Sequence, residues 1–189
     1  MKPLASETSV TFPLNPIPAS AKTWLVVLTL LLPIGIAGLA YTLVLTQTTA
    51  TLSAGAMLAG AAAMLIVPLA AWLLVARSIE RQEVRLSGNR LDVAIPYTRK
   101  QVALSEIDLS RARIVDLNER TELRPLIRLW GIGLPGLSCG WHLLRNRRRA
   151  VVAIFGGRRA LWLPTQLNFD LLLELQQPQT LLDALHARR

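Results

Sequence analysis

Two apolar runs without a single charged residue, Trp24–Leu45 and Leu52–Ala76, constrain this chain more than any other feature. They are 22 and 25 residues long. A helix rises about 1.5 Å per residue and a bilayer core is about 30 Å thick, so about 20 apolar residues suffice to cross it. Both runs are long enough. Buried helices of soluble proteins hold shorter apolar runs, of about 10–14 residues. A secretory signal has an apolar stretch of roughly 7–15 residues behind a basic leader. Here a largely polar segment containing Pro3, Pro13, Pro16 and Pro18 comes first. The sequence therefore predicts a flexible tail at residues 1–23 and two transmembrane helices at 24–45 and 52–76.

The link between the runs, Thr46–Thr51, is short, polar and uncharged. So brief a connection predicts an antiparallel hairpin with both ends on one side of the membrane. Lys22 precedes the first run, and Arg77, Arg81, Arg85 and Arg90 follow the second. The positive-inside rule then places both termini in the cytoplasm. The runs contain no Asp, Glu, Lys, Arg or His. Ion and proton pathways reveal themselves by such residues, so a transporter or pump is disfavoured. Pro33 and Pro68 predict modest kinks. Ala56/Gly60 and Ala59/Ala63 are small-xxx-small pairs, which either pack the hairpin on itself or join it to another helix.

The remainder is a different environment. Of 21 Lys and Arg residues 19 lie beyond position 76, with 11 of the 12 acids, for a local net charge of +8. From Arg81 the apolar period falls to two. Val84–Ile95 alternates around the turn Ser87-Gly88-Asn89, a hairpin signal. Further strands are expected at Gln101–Leu104, Ile107–Leu117, Leu137–Leu144, Ala150–Phe155 and Ala160–Leu163, and another apolar stretch, Phe169–Leu175, precedes the last element. Pro178 suits a first helical position, and Leu181, Leu182 and Leu185 give the following helix an apolar face. The expected class is a membrane α-helical hairpin plus an α+β, mainly β domain over 81–189. About seven strands would form a bent sheet or open barrel closed by the C-terminal helix.

The opening hairpin Val84–Ile95, the segment from Trp130 to Leu143 with its Gly131, Gly133, Pro135, Gly136 and Gly140, and the closing helix Pro178–Leu185 are similar to the bacterial PH-domain (pleckstrin-homology-like) family of membrane proteins. The similarity covers about Arg81–Ala187, and the leucine-rich run Leu171–Leu175 departs from it. It implies a PH-like fold in a bacterial inner membrane protein. Function is left open among lipid, peptide and self-association roles, since a fold hosts many functions.

Other motifs are weaker. Gly131–Gly136 lacks the Gly-Lys-Ser/Thr ending of a phosphate loop, and Pro135 removes an amide donor, so a backbone turn feeding a strand is expected. Arg145, Arg147, Arg148, Arg149, Arg158 and Arg159 are six arginines with no acid among them. If their two turns share one end of the sheet they form a positive patch. That patch is either a solvated cytoplasmic face or a surface for anionic phospholipid or an acidic partner. Nucleic acid is disfavoured by the absence of a helix-turn-helix or RNA-binding motif.

His142 and His186 have no ligand-spaced Cys or carboxylate, so neither a metal nor a cofactor is expected. Asp108, Asp116, Glu119 and Glu122 read as surface ion pairs among arginines. Cys139, the one cysteine, reads as a small buried residue. No catalytic constellation emerges. The expectation is a non-enzymatic interaction module for self-association, a protein partner or anionic lipid. The alternative is an accessory subunit docking through its hairpin onto a larger transporter or cell-envelope complex.

Overall fold

The computed structural model describes residues 9–47, 53–80 and 82–188. The chain divides into two compact units, Ala19–Glu80 and the combination of Met1–Pro18 with Arg81–Arg189.

The first unit is helical: α1 (Ala19–Val26), a π-helical stretch (Val27–Leu31), α2 (Leu32–Gln47) and α3 (Ala54–Glu80). The π stretch has a local cause. Pro33 offers no N–H and its ring crowds the carbonyl four residues back, at Thr29, so the helix widens there. The Thr29 hydroxyl turns to the Leu25 carbonyl at 2.6 Å. Thr46 and Gln47 still belong to α2, and the rest of the expected polar link lies outside the described residues.

Ala19–Val44 and Gly55–Ser78 have mean hydropathies of 2.2 and 2.3, and are 0% and 6% buried. Both are long and apolar enough to cross a membrane, and neither is a buried core helix. The first begins at Ala19 rather than Trp24. On α3 the half-buried or buried positions Gly60, Met64, Pro68 and Trp72 recur every four residues, one helical stripe. Tyr41 of α2 reaches across, its hydroxyl donating to the Met57 carbonyl at 3.2 Å.

Among its described residues the second unit holds ten strands in two sheets, rather than about seven in one bent sheet or open barrel. The first sheet runs β1-β2-β3-β4, from β1 (Val10–Phe12), β2 (Glu83–Ser87), β3 (Arg90–Ile95) and β4 (Thr98–Ala103). The β2–β3 hairpin turns at Gly88, whose φ of +53° suits a residue without Cβ. The flexible tail expected at 1–23 is therefore corrected from Val10 onward. Val10, Thr11 and Phe12 pair with Leu86, Arg85 and Val84, and Phe12 and Leu14 are buried.

The second sheet has the order β5-β9-β10-β8-β7-β6. Its strands are β5 (Arg113–Asp116), β6 (Pro125–Leu134), β7 (Leu137–Leu144), β8 (Arg149–Ile154), β9 (Arg159–Leu163) and β10 (Phe169–Leu173). β10 inserts between β8 and β9, parallel to the first and antiparallel to the second. That central position explains the leucine-rich run: Leu171, Leu172 and Leu173 are all fully buried because both faces of β10 are covered. One face carries Val115, Leu144, Ala150, Val152, Trp162 and Leu172, capped by Leu117 and Leu123. On the other, Trp141 meets Phe169 edge to face at 5.2 Å, and Lys100 of β4 lies over its ring. The closing helix α4 (Pro178–Ala187) starts on Pro178 and buries Leu181 and Leu185.

Two segments differ from expectation for local reasons. The strand expected at Ile107–Leu117 survives only as β5, because Ser110 donates to the Asp108 carboxylate at 2.5 Å and turns the chain. The glycine-rich segment is not a turn throughout: Gly131 and Gly133 lie within β6, and Pro135 and Gly136 alone make the turn. Gly131 and Gly140 sit opposite each other on β6 and β7 at φ +126° and +118°. A Cβ on either would collide with the facing backbone carbonyl. The motif thus serves a close cross-strand approach.

Candidate functional site

The six arginines expected to form one patch are divided between the two ends of β8. The turn carrying Arg145, Arg147 and Arg148 precedes β8, and the turn carrying Arg158 follows it. Six strand residues separate them, about 20 Å at 3.3 Å per residue. Arg158 and Arg159 therefore lie at the opposite end of the sheet from Arg145, Arg147, Arg148 and Arg149. In their place the topology brings Arg111 and Arg113, because β9 runs antiparallel to β5 and pairs Trp162 with Arg113.

Trp162 organises this end. The Arg113 and Arg111 guanidiniums lie 5.3 and 5.6 Å from its ring centroid. Such stacking holds planar cations in place while their edges stay free to meet an anion. The indole N–H donates to the buried Asp170 carboxylate at 3.1 Å. The other Asp170 oxygen accepts from Arg148 at 2.9 Å. Arg148 also donates to the carbonyls of Thr165 and Leu167, at 3.2 and 3.3 Å, tying down the β9–β10 loop. The Thr165 hydroxyl closes the same loop on the Phe169 carbonyl. Arg148 is thus committed to the fold, while Arg111, Arg113, Arg147 and Arg149 make no ion pair among the described contacts.

Around these groups lies a cavity of about 170 Å³ lined by Arg111, Arg113, Arg148, Trp162, Asp170 and Glu122, whose carboxylate pairs with Arg120 at 3.6 Å. A shallower hollow of about 450 Å³ is lined by Arg147, Arg148, Arg149, Leu167 and Asn168. Arg147 occupies the left-handed region, φ +64°, a conformation costing about 1 kcal/mol for a residue with a Cβ. The arrangement offers forked donors to a small anionic oxygen group.

The opposite end of β10 is built differently. Glu174 accepts from the backbone N–H groups of Phe155 and Gly157, at 2.7 and 3.0 Å. Its other oxygen accepts from the Asn15 amide at 2.5 Å. Main-chain bonds from Asn15 and Gln176 extend this clasp, with Leu14 bridged to Leu175. The stretch preceding α1 is thereby fastened to the second sheet as well as the first.

Among the remaining expected residues, Gly60 lies on the packed stripe of α3, Ala56 is exposed at the start of that stripe, and Ala59 and Ala63 are exposed on another face. His142 is buried opposite Arg128 of β6. Burial, with help from the Arg128 charge and against the Gly140 carbonyl, holds its pKa below the ordinary value. Burial pushes the Cys139 thiol up to about 12. Asp108 is held below the usual carboxylate range by the Ser110 hydroxyl. Asp170 and Glu174 escaped the sequence reading. The only signal was an acid punctuating an otherwise apolar strand, at positions 170 and 174.

The chain matches no family model, no curated protein and no solved structure.

Proposed function

We propose that this chain is a non-enzymatic, multi-pass inner-membrane protein of the bacterial PH-domain type. Its cytoplasmic β unit binds anionic phospholipid through the Trp162 end of the second sheet. The observation that carries the lipid reading is the convergence of Arg111, Arg113, Arg147 and Arg149 on one end, with Asp170 already neutralised by Arg148. Each arginine near an anionic leaflet contributes about 1 kcal/mol. Chain connectivity supports the topology. Residues 9–18 and 82–188 belong to one unit, which supports placing both flanks of the helical hairpin on one side of the membrane. Lys22, Arg77, Arg85 and Arg90 support the cytoplasm as that side by the positive-inside rule. The opening hairpin, the glycine pair and the closing helix support the PH-like assignment.

The test is lipid retention. The full chain purified in mild detergent should carry phosphatidylglycerol in preference to phosphatidylcholine, and lose it as salt rises. Replacing Arg111, Arg113, Arg147 and Arg149 with Gln should abolish that preference. Unchanged retention would remove the lipid reading. A second reading, docking of the hairpin onto a larger membrane complex or a second copy, is favoured by the exposed small residues Ala56, Ala59 and Ala63. Leu substitution at Ala59 and Ala63 should then dissociate a partner that survives gentle crosslinking.

A further inference from the structure

Half of β6 carries large apolar side chains into solvent. Leu126, Ile127, Leu129 and Trp130 are 56%, 52%, 48% and 64% exposed, on the strand that closes one edge of the second sheet. Contiguous exposed groups of this size mark an interface. Two occupants compete: a second copy pairing edge to edge, and the bilayer. The stretch itself decides between them. Its pairing with β7 is broken by register shifts between Pro125 and Ile127 and between Arg128 and Trp130. Bulges of this kind twist an edge away from regular strand addition. Arg124 precedes the apolar residues and Arg128 stands among them, and the Arg145 N–H donates to the Arg124 carbonyl at 3.1 Å, bringing the β7–β8 turn alongside. A two-fold pairing would press these like charges together with no carboxylate on β6 to offset them.

A bilayer interface suits the same residues. Leu and Ile enter the acyl boundary, Trp sits at headgroup level, and arginines meet phosphates. The apolar half of β6 is also continuous with the arginine-rich end, since Pro125 pairs with Leu144 just before Arg145. Reach is short: Pro18 joins Ala19 directly, and two residues separate Glu80 from Glu83.

We propose that the Leu126–Trp130 half of β6 is a wedge that enters the interfacial layer of the membrane beside the arginine end. The proposal rests on the membrane-anchored reading above and adds the apolar segment that penetrates.

The test uses the full chain with one added cysteine. Cys139 is buried with a raised pKa and does not compete for a thiol label at neutral pH. An environment-sensitive fluorophore is placed on Ile127→Cys, and on Leu126→Cys as a second site. Tyr97→Cys, on the exposed β3–β4 turn of the other sheet, serves as reference. The protein is reconstituted into phosphatidylcholine vesicles with and without phosphatidylglycerol. Lipids brominated high on the acyl chain should quench the labels at 127 and 126, while aqueous iodide should quench them far less than the label at 97. Iodide quenching at 127 and 126 equal to that at 97, with no bromolipid quenching, overturns the wedge. Ready disulfide-linked dimers through Ile127→Cys overturn it in favour of a second copy. Bromolipid quenching that persists in phosphatidylcholine alone and after the four Arg→Gln changes, with no selective phosphatidylglycerol retention, upholds the wedge while removing the anionic-lipid reading. Selective phosphatidylglycerol retention with water-exposed labels does the reverse.

Discussion

A buried carboxylate stands at each end of β10, Asp170 within the strand and Glu174 one residue beyond it, and the two are satisfied in opposite ways. Glu174 is met by two backbone N–H groups and the Asn15 amide, all uncharged. Asp170 is met by the Arg148 guanidinium and the Trp162 indole. The first solution closes the fold: it turns the chain between β8 and β9 and clasps the segment that precedes α1. The second draws cations to the surface and leaves further guanidiniums, those of Arg111, Arg113, Arg147 and Arg149 among them, beyond the one it needs. One end of the strand is architecture. The other is architecture with a positive surplus, and the surplus is what a ligand can use.

The comparison breaks most easily at Glu174. Glu174→Ala leaves the Phe155 and Gly157 N–H groups without their acceptor and should cost about 3–5 kcal/mol. Denaturant unfolding in micelles, followed by tryptophan emission, would measure it. A cost below about 1 kcal/mol would mean that water replaces the carboxylate and the clasp is dispensable. Gly157→Ala should weaken the same clasp by less, because a Cβ there meets the Glu174 carboxylate, which can shift at the expense of its hydrogen bonds.

At the other end the two partners should not be equivalent. Asp170 is fully buried, whereas the Arg148 side chain is 47% exposed. Arg148→Gln strands a buried charge and should cost about 3 kcal/mol. Asp170→Asn lets Arg148 turn to water while the amide oxygen still accepts from Trp162, and should cost about 1 kcal/mol. The double variant should be more stable than Arg148→Gln alone, a coupling that a mutant cycle reads directly. Equal single costs would contradict the assignment of the charge burden to Arg148.

Arg147 sharpens the functional side. Arg147→Gly relieves the left-handed strain and should raise stability by about 1 kcal/mol while weakening phosphatidylglycerol retention. A gain in stability without loss of lipid would make Arg147 an ordinary turn residue. The smallest effect belongs to His142. Its folded pKa lies below the ordinary 6.5, so the unfolded chain binds the proton first. Its contribution to stability is complete above pH 6.5 and declines as pH falls through the depressed folded value. Unfolding curves between pH 5 and 8 should show this loss, and His142→Gln should flatten it.

Much of the fold was legible locally. The turn at Gly88, the strand Leu137–Leu144 and the helix start at Pro178 follow from residues next to one another in the chain. What escaped depends on distant partners. Val10–Phe12 is a strand because Val84–Leu86 lies beside it, although the helical hairpin separates them in sequence. Gly131 needs its conformation because Gly140 faces it. The arginine set was regrouped for the same reason: β10 inserts between β8 and β9, and only that topology sends Arg158 and Arg159 away while bringing Arg111 and Arg113 to Trp162. A run of arginines in sequence shows positive charge. It does not show which turns share an end.

The most direct test places a photoreactive residue at Arg147 in one variant and at Arg158 in another, at the two ends of β8, and illuminates each in native membranes. Anionic phospholipid captured at 147 and not at 158 is the result expected. Equal capture at both positions, or capture of a discrete protein alone at 147, would contradict the assignment of lipid binding to the Trp162 end.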